Sequence, residues 1–152
     1  MSCLGDAPLE WHRDNYILTT DRDGIPLDQA LAMLRTTFWA GNITADQLSR
    51  AMRWSVCLGV LADGRLVAFA RVVTDLTTYA YLCDVVVDVK HGRKGLAQWM
   101  VKTMLEHPQL QGLRRFSLLT TTAKALYEKL GFTDKPTSTY MELKASSQPP
   151  LE

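Results

Sequence analysis

Apolar positions along this chain follow two rhythms. Residues 16–20 are β-prone and predict a first strand. After turn chemistry at 21–26, Leu27, Ala30, Leu31, Leu34 and Phe38 recur at helical spacing, which predicts an amphipathic helix ended by Gly41-Asn42. Thr44 and Gln47 form a capping-box pair, so a second short helix should run to about Arg53. The rhythm then changes. Residues 56–62 and 66–74 are apolar runs on either side of Asp63-Gly64, a strong hairpin signal, and a third run follows at 80–89. Helical spacing returns at Leu96, Trp99, Met100, Thr103 and His107, with Pro108 as the stop. Residues 116–119 predict a short strand. Ala123, Leu126, Tyr127 and Leu130 predict a last helix capped by Gly131, and Phe132 onward and then residues 140–144 predict the closing strands. The order β-α-α-β-β-β-α-β-α-β-β implies an α/β (α+β) fold, a mixed sheet with helices on its faces.

Composition narrows the functional classes. A chain of 152 residues, 47% apolar and 22% charged, is expected to form one domain, here residues 1–145. Residues 146–150 read as a loose tail, and Leu151-Glu152 has the look of a cloning scar. A net charge of +1 gives no broad basic field for nucleic acid. Cys3, Cys57 and Cys83 are scattered, with no Cys-x-x-Cys pair. That argues against a disulfide framework or a structural metal site and for a reducing compartment. No signal-peptide pattern and no membrane-length apolar stretch stands in the sequence, so the expected location is cytoplasmic, without a membrane partner.

The chemistry is concentrated in residues 83–97, Cys-Asp-Val-Val-Val-Asp-Val-Lys-His-Gly-Arg-Lys-Gly-Leu-Ala. A β-branched strand enters a loop of glycine and cations and continues into a helix. Backbone amides and a helix N-terminus would converge there on an anion, of which phosphate fits best. The plainer reading is an ordinary strand-to-helix connection with solvated cations. The spacing is neither a Walker loop nor the Gly-x-Gly-x-x-Gly dinucleotide pattern.

A second motif changes the balance. Ala123, Leu126, Tyr127, Gly131 and Phe132 stand on a short helix ending in Gly-Phe. With the strand and the Gly92-Arg93-Lys94-Gly95-Leu96-Ala97 loop before it, the chain from about Ser55 to Leu143 resembles the GNAT superfamily of acetyl-CoA-dependent N-acetyltransferases. Within it, the chain looks most like small bacterial members of undefined substrate. The resemblance implies a mostly antiparallel sheet of six to seven strands with about four helices. It also implies acetyl-CoA as cosubstrate with no metal, and a small-molecule amine as acceptor. Homodimers are among the assemblies it allows. Carried over residue by residue, Val85, Val86 and Val87 would pair with the pantetheine arm, and the amides of Arg93, Lys94, Gly95, Leu96 and Ala97 would hold the pyrophosphate. Tyr127 would protonate the departing thiolate. Thr120 occupies a cofactor-contacting position usually held by Asn. Gly92 stands where Gln or Arg is usual, with the cation shifted to Arg93, and Val89 replaces a Pro; Gly92 would free one more amide for phosphate.

An alkylammonium of lysine-like pKa is only about 0.04% neutral at pH 7, so transfer to an amine needs a base or a proton-removing water chain. Asp84, expected on one strand face with Leu82, Val86 and Asp88, is a candidate base. Its alternatives are an anchor for the substrate ammonium or a structural carboxylate paired with Arg71. Arg71 would bind a substrate carboxylate, or else bridge to Asp75 or Asp84. Trp39 and Trp54 flank the expected acceptor pocket, with core packing as the alternative for both; Tyr127 also reads as a core aromatic by periodicity alone. His91 reads as a surface residue beside the loop and Cys83 as a buried thiol. The function implied is direct acetyl transfer from acetyl-CoA to a primary amine in a ternary complex. A CoA-binding sensor without turnover is the alternative, motivated by Val89, Gly92 and Thr120.

Overall fold

The structure is a computed structural model and describes residues 7–143. Six strands form one sheet in chain order: β1 (Glu10–Arg13), β2 (Tyr16–Thr19), β3 (Val56–Ala62), β4 (Arg65–Thr74), β5 (Tyr79–Val87) and β6 (Arg115–Leu118). All pairings are antiparallel except β5 with β6, which is parallel and reached through a helical crossover. Four helices cover the sheet: α1 (Leu27–Leu34), α2 (Ala45–Arg53), α3 (Leu96–Glu106) and α4 (Lys124–Lys129). This is the expected fold class.

Both faces of the central strands are buried, which is why β3 and β4 read as nearly continuous apolar runs rather than alternating ones. One face packs Leu58, Val60, Ala68, Ala70, Val72 and Leu82 against Trp99, Met100, Val101 and Met104 of α3 and Tyr127 of α4. The other packs Cys57, Leu66 and Phe69 against Ala30 and Leu34 of α1 and Leu48 and Met52 of α2. Gly59 permits the second layer to close. A Cβ there would stand 2.8 Å from Ile25 Cγ1 and 3.0 Å from Leu66 Cδ1, closer than side chains tolerate.

Three elements depart from the sequence reading. Strand β1 was not expected. It pairs with β2 through the two-residue turn Asp14-Asn15, with Asp14 at φ 52°, a turn less conspicuous than Asp-Gly. The first helix stops at Leu34, a turn short of Phe38. There Thr36 Oγ1 and Thr37 Oγ1 donate to the carbonyls of Met33 and Leu34, competing with helix continuation. The predicted strands after α4 are absent from residues 132–143, where Pro136 offers no N–H and Tyr140, Met141 and Leu143 are exposed. The observed order is therefore β-β-α-α-β-β-β-α-β-α. Lys144 and the predicted tail lie outside the described residues.

Candidate active site

The site begins where β5 and β6 part. Their pairing ends at Leu82 opposite Leu118, yet β5 continues to Val87. Among the described residues no strand lies beside residues 83–87 on that edge, so its peptide groups face an open cleft. On the other edge, Asp84 and Val85 together oppose Ala70, a β-bulge flanked by the pairs Cys83↔Arg71 and Val86↔Phe69. Asp84 carries the strain of the bulge at φ 55°, in the left-handed region that Asp and Asn tolerate best.

The bulge corrects one expectation. Strict alternation would put Asp84 on the face of Leu82, beneath α3. The extra residue instead turns Asp84 toward the α1–α2 face, where Arg71 Nε donates to Asp84 Oδ2 at 2.8 Å. Both side chains are largely buried, 17% and 10% exposed. Arg71 Nη1 also donates to Ser55 Oγ at 2.9 Å, and Ser55 Oγ donates to the Ala51 carbonyl near the end of α2. Burial works against the Arg71 charge, but Cys83 and Asp84 outweigh it, and its pKa is raised. Asp75 is not its partner, because that carboxylate is bound by the Thr78 hydroxyl and the amides of Thr77, Thr78 and Tyr79, which hold its pKa well below the usual range. Burial pushes the Cys83 thiol up to about 11 and the Cys57 thiol to about 12, so neither is a poised nucleophile.

A cavity of about 410 Å³ opens above this ion pair, walled by Phe38, Trp39, Asn42 and Gln47 with Arg71 and Asp84 at its base. Trp39, Arg71 and Asp84, the three residues expected to contact the acceptor, thus line one space. Phe38, which helical periodicity assigned to a core face, belongs to the wall because α1 ends early. Trp39 is 51% exposed and Trp54 72% exposed, so neither is a core residue, and Trp54 lies outside this cavity.

The glycine–cation loop lies at the far end of the open β5 edge. Gly95 caps α3 at φ 74° with no side-chain cap, so the amides of the first helical turn lack intrahelical acceptors and are available to an anion. Gly92 does not contribute as expected. Its conformation is extended, its N–H is spent on the Val89 carbonyl at 3.2 Å, and the left-handed position falls on Arg93 at φ 61°. Arg93 and Lys94 are exposed, whereas the Leu96 side chain is in the core. Val85 and Val87 pack toward α3 and Val86 toward α1 and α2, leaving their peptide groups for the cleft edge. Two further contacts brace the loop from strands that local pattern gave no reason to connect with it. Tyr16 Oη lies 2.8 Å from His91 Nδ1, and Arg13 sits 4.6 Å over the Trp99 ring.

Tyr127 stands on α4 within the cluster that holds Leu82 and Leu96, edge-on to Phe132 at 5.9 Å between ring centroids. Burial raises its pKa above the ordinary phenol value, so it remains protonated at neutral pH. Thr120 is exposed at the end of β6, its hydroxyl accepting from the Ala123 N–H at 3.0 Å. Among the described residues no group of His, Cys, Asp or Glu is placed to hold a metal, and no helix is long and apolar enough to cross a membrane.

An open strand edge beside a bulge, a helix N-terminus at one end of it and a buried phenol nearby define a cleft of the acetyltransferase type. The profile of the acetyltransferase (GNAT) family matches residues 27–132, and the chain belongs to that family. It is 32% identical to a candidate acetyltransferase of Gibberella zeae, with 84% of each chain covered. It superposes with a TM-score of 0.84 on a candidate GNAT acetyltransferase of Xanthomonas campestris, at 36% identity over 92% of this chain and 100% of that one. A candidate acetyltransferase of Clostridium acetobutylicum crystallised with acetyl-CoA shares the fold, with a TM-score of 0.63 and 15% identity over 86% of this chain and 95% of that one.

Proposed function

We propose that the protein transfers an acetyl group from acetyl-CoA to a primary amine of a small molecule, by direct attack in a ternary complex. The observation that carries the reading is the open β5 edge at residues 83–87, with the α3 N-terminus at its end and Tyr127 among the residues packed beside it. Acetyl-CoA supplies the activated acyl thioester. The peptide edge of Val85 to Val87 aligns the pantetheine arm as an added strand, and the amides from Arg93 to Ala97 take the pyrophosphate. The bulge takes backbone out of the ladder at Asp84-Val85, which supports an amide donor to the oxyanion.

The acceptor enters from the α1–α2 side, where the cavity ends on Asp84. Already engaged with Arg71, Asp84 acts as the anionic anchor of the ammonium, and water in the open cavity removes the proton. As the C–N bond forms and the C–S bond breaks, the two protons lost by the ammonium are delivered to the solvent and, through Tyr127, to the thiolate. Thiol release across an amine panel tests the reading. Tyr127→Phe should lower kcat by about 100-fold while leaving acetyl-CoA binding intact, and an unchanged kcat removes Tyr127 from the mechanism.

A second reading, CoA sensing without turnover, draws on the loop. Arg93 occupies a conformation that costs a non-glycine residue about 1–2 kcal/mol, and the Gly92 amide is spent internally. Stabilisation by CoA with no turnover of any amine would favour it.

A further inference from the structure

Resting on the acetyltransferase reading, we infer that the acceptor is a primary amine carrying one positive charge on an aromatic or similarly flat apolar body. The charges of the cavity come first. Among its lining residues only Asp84 is acidic and only Arg71 is basic, and the two are already paired at 2.8 Å. The pocket is therefore close to neutral, with one carboxylate able to meet an ammonium through the lone pairs that Arg71 leaves free. A polyamine or a polycationic sugar would carry further ammonium groups into a space with no second anion to receive them. An amino acid would bring a carboxylate to a guanidinium whose Nε is committed to Asp84 and whose Nη1 is committed to Ser55, which leaves no open pair of donors for bidentate binding, and it would meet the Asp84 carboxylate beside them.

The wall decides the rest. Phe38 and Trp39 stand edge to face, 5.0 Å apart at 89° between planes, and remain 77% and 51% exposed. They are not completing the core: Thr36 and Thr37 end α1 just before them, and the two rings flank the cavity that the ion pair floors. Two perpendicular rings present a corner of apolar surface into which an aryl group packs on one face and one edge. The neutral amides of Asn42 and Gln47 complete the rim without adding charge. The cavity of about 410 Å³ is of a size to hold such a body.

The full chain would be assayed by thiol release at saturating acetyl-CoA with phenethylamine, n-butylamine, spermidine and phenylalanine. The inference expects kcat/KM for phenethylamine at least tenfold above each of the others. It also expects that Trp39→Ala collapses the phenethylamine to n-butylamine ratio to within threefold, through KM, while the acetyl-CoA thermal shift is retained. Preference for spermidine or phenylalanine overturns it, as does a ratio unmoved by both Trp39→Ala and Phe38→Ala. Calorimetry of phenethylamine against the CoA-loaded protein separates this inference from the reading beneath it. Saturable binding without turnover of any amine upholds the pocket assignment and refutes catalysis. Turnover of another amine with no phenethylamine binding refutes the pocket assignment and keeps catalysis. The absence of both overturns both.

Discussion

Replacing Arg71 by Met tests whether the ion pair beneath the acceptor cavity holds the molecule together as well as shaping the site. The guanidinium is 17% exposed and its partner carboxylate 10% exposed, so its removal leaves the Asp84 charge largely buried and without its cation. Breaking a buried pair from one side costs about 3–5 kcal/mol. The substitution also cuts the link from Arg71 through Ser55 to the Ala51 carbonyl, which ties the end of α2 to the sheet. For a chain of this size, 3 kcal/mol corresponds to a fall in Tm of about 6–12 °C. Asp84→Asn should cost less, because Asn tolerates the left-handed backbone and still accepts a hydrogen bond from Arg71. The combined Arg71→Met, Asp84→Asn variant should be more stable than the sum of the singles predicts by about 1–3 kcal/mol, since no charge is then left alone. Urea unfolding midpoints of the four proteins measure this coupling. Strict additivity would mean that the pair contributes nothing as a pair, and the account of Asp84 as a held anion would fall with it.

Other outcomes follow from packing and titration. Gly59→Ala places a methyl against Ile25 and Leu66 and should lower stability by about 1–3 kcal/mol, read from the urea midpoint. His107 is buried with its pKa lowered by desolvation, and its Nδ1 accepts from the Gln109 N–H, an arrangement that needs the neutral ring. Below about pH 6.5 the unfolded chain therefore binds a proton that the folded chain resists, so stability should fall as pH drops from 6.5 toward 5, and His107→Gln should flatten that slope in pH-dependent unfolding. With thiol pKa values near 12 and 11, Cys57 and Cys83 should resist iodoacetamide at pH 8 in the folded protein and react in urea, as mapped by mass spectrometry.

The two family motifs, the three central strands, the Asp63-Gly64 hairpin and four helix positions are legible in the chain because each is a local matter. A helix face, a turn dipeptide or a capping box is written within a few residues, and the structure has the Thr44–Gln47 box in both directions. What escaped depends on interactions that the apolar pattern does not record. Strand β1 becomes a strand only because β2 offers its edge. The polar Asp14-Asn15 turn carries little signal alone, and Arg13 reaches Trp99 only through that hairpin. Phe38 fits the helical period, but the hydroxyls of Thr36 and Thr37 end the helix first, and a periodicity count does not see that competition.

Asp84 shows the division most clearly. The sequence by itself determined that a carboxylate stands in an apolar strand ahead of an anion-binding loop, and that Arg71, Asp75 and Asp84 were available to pair. It did not determine which face Asp84 occupies, because one inserted residue in β5 reverses the alternation on which any strand reading rests. The tertiary structure decided that face, chose Asp84 over Asp75 as the partner of Arg71, and set both under the Phe38–Trp39 wall. The physical reason is that a bulge is a property of two strands in register. Neither strand carries enough information alone to place it.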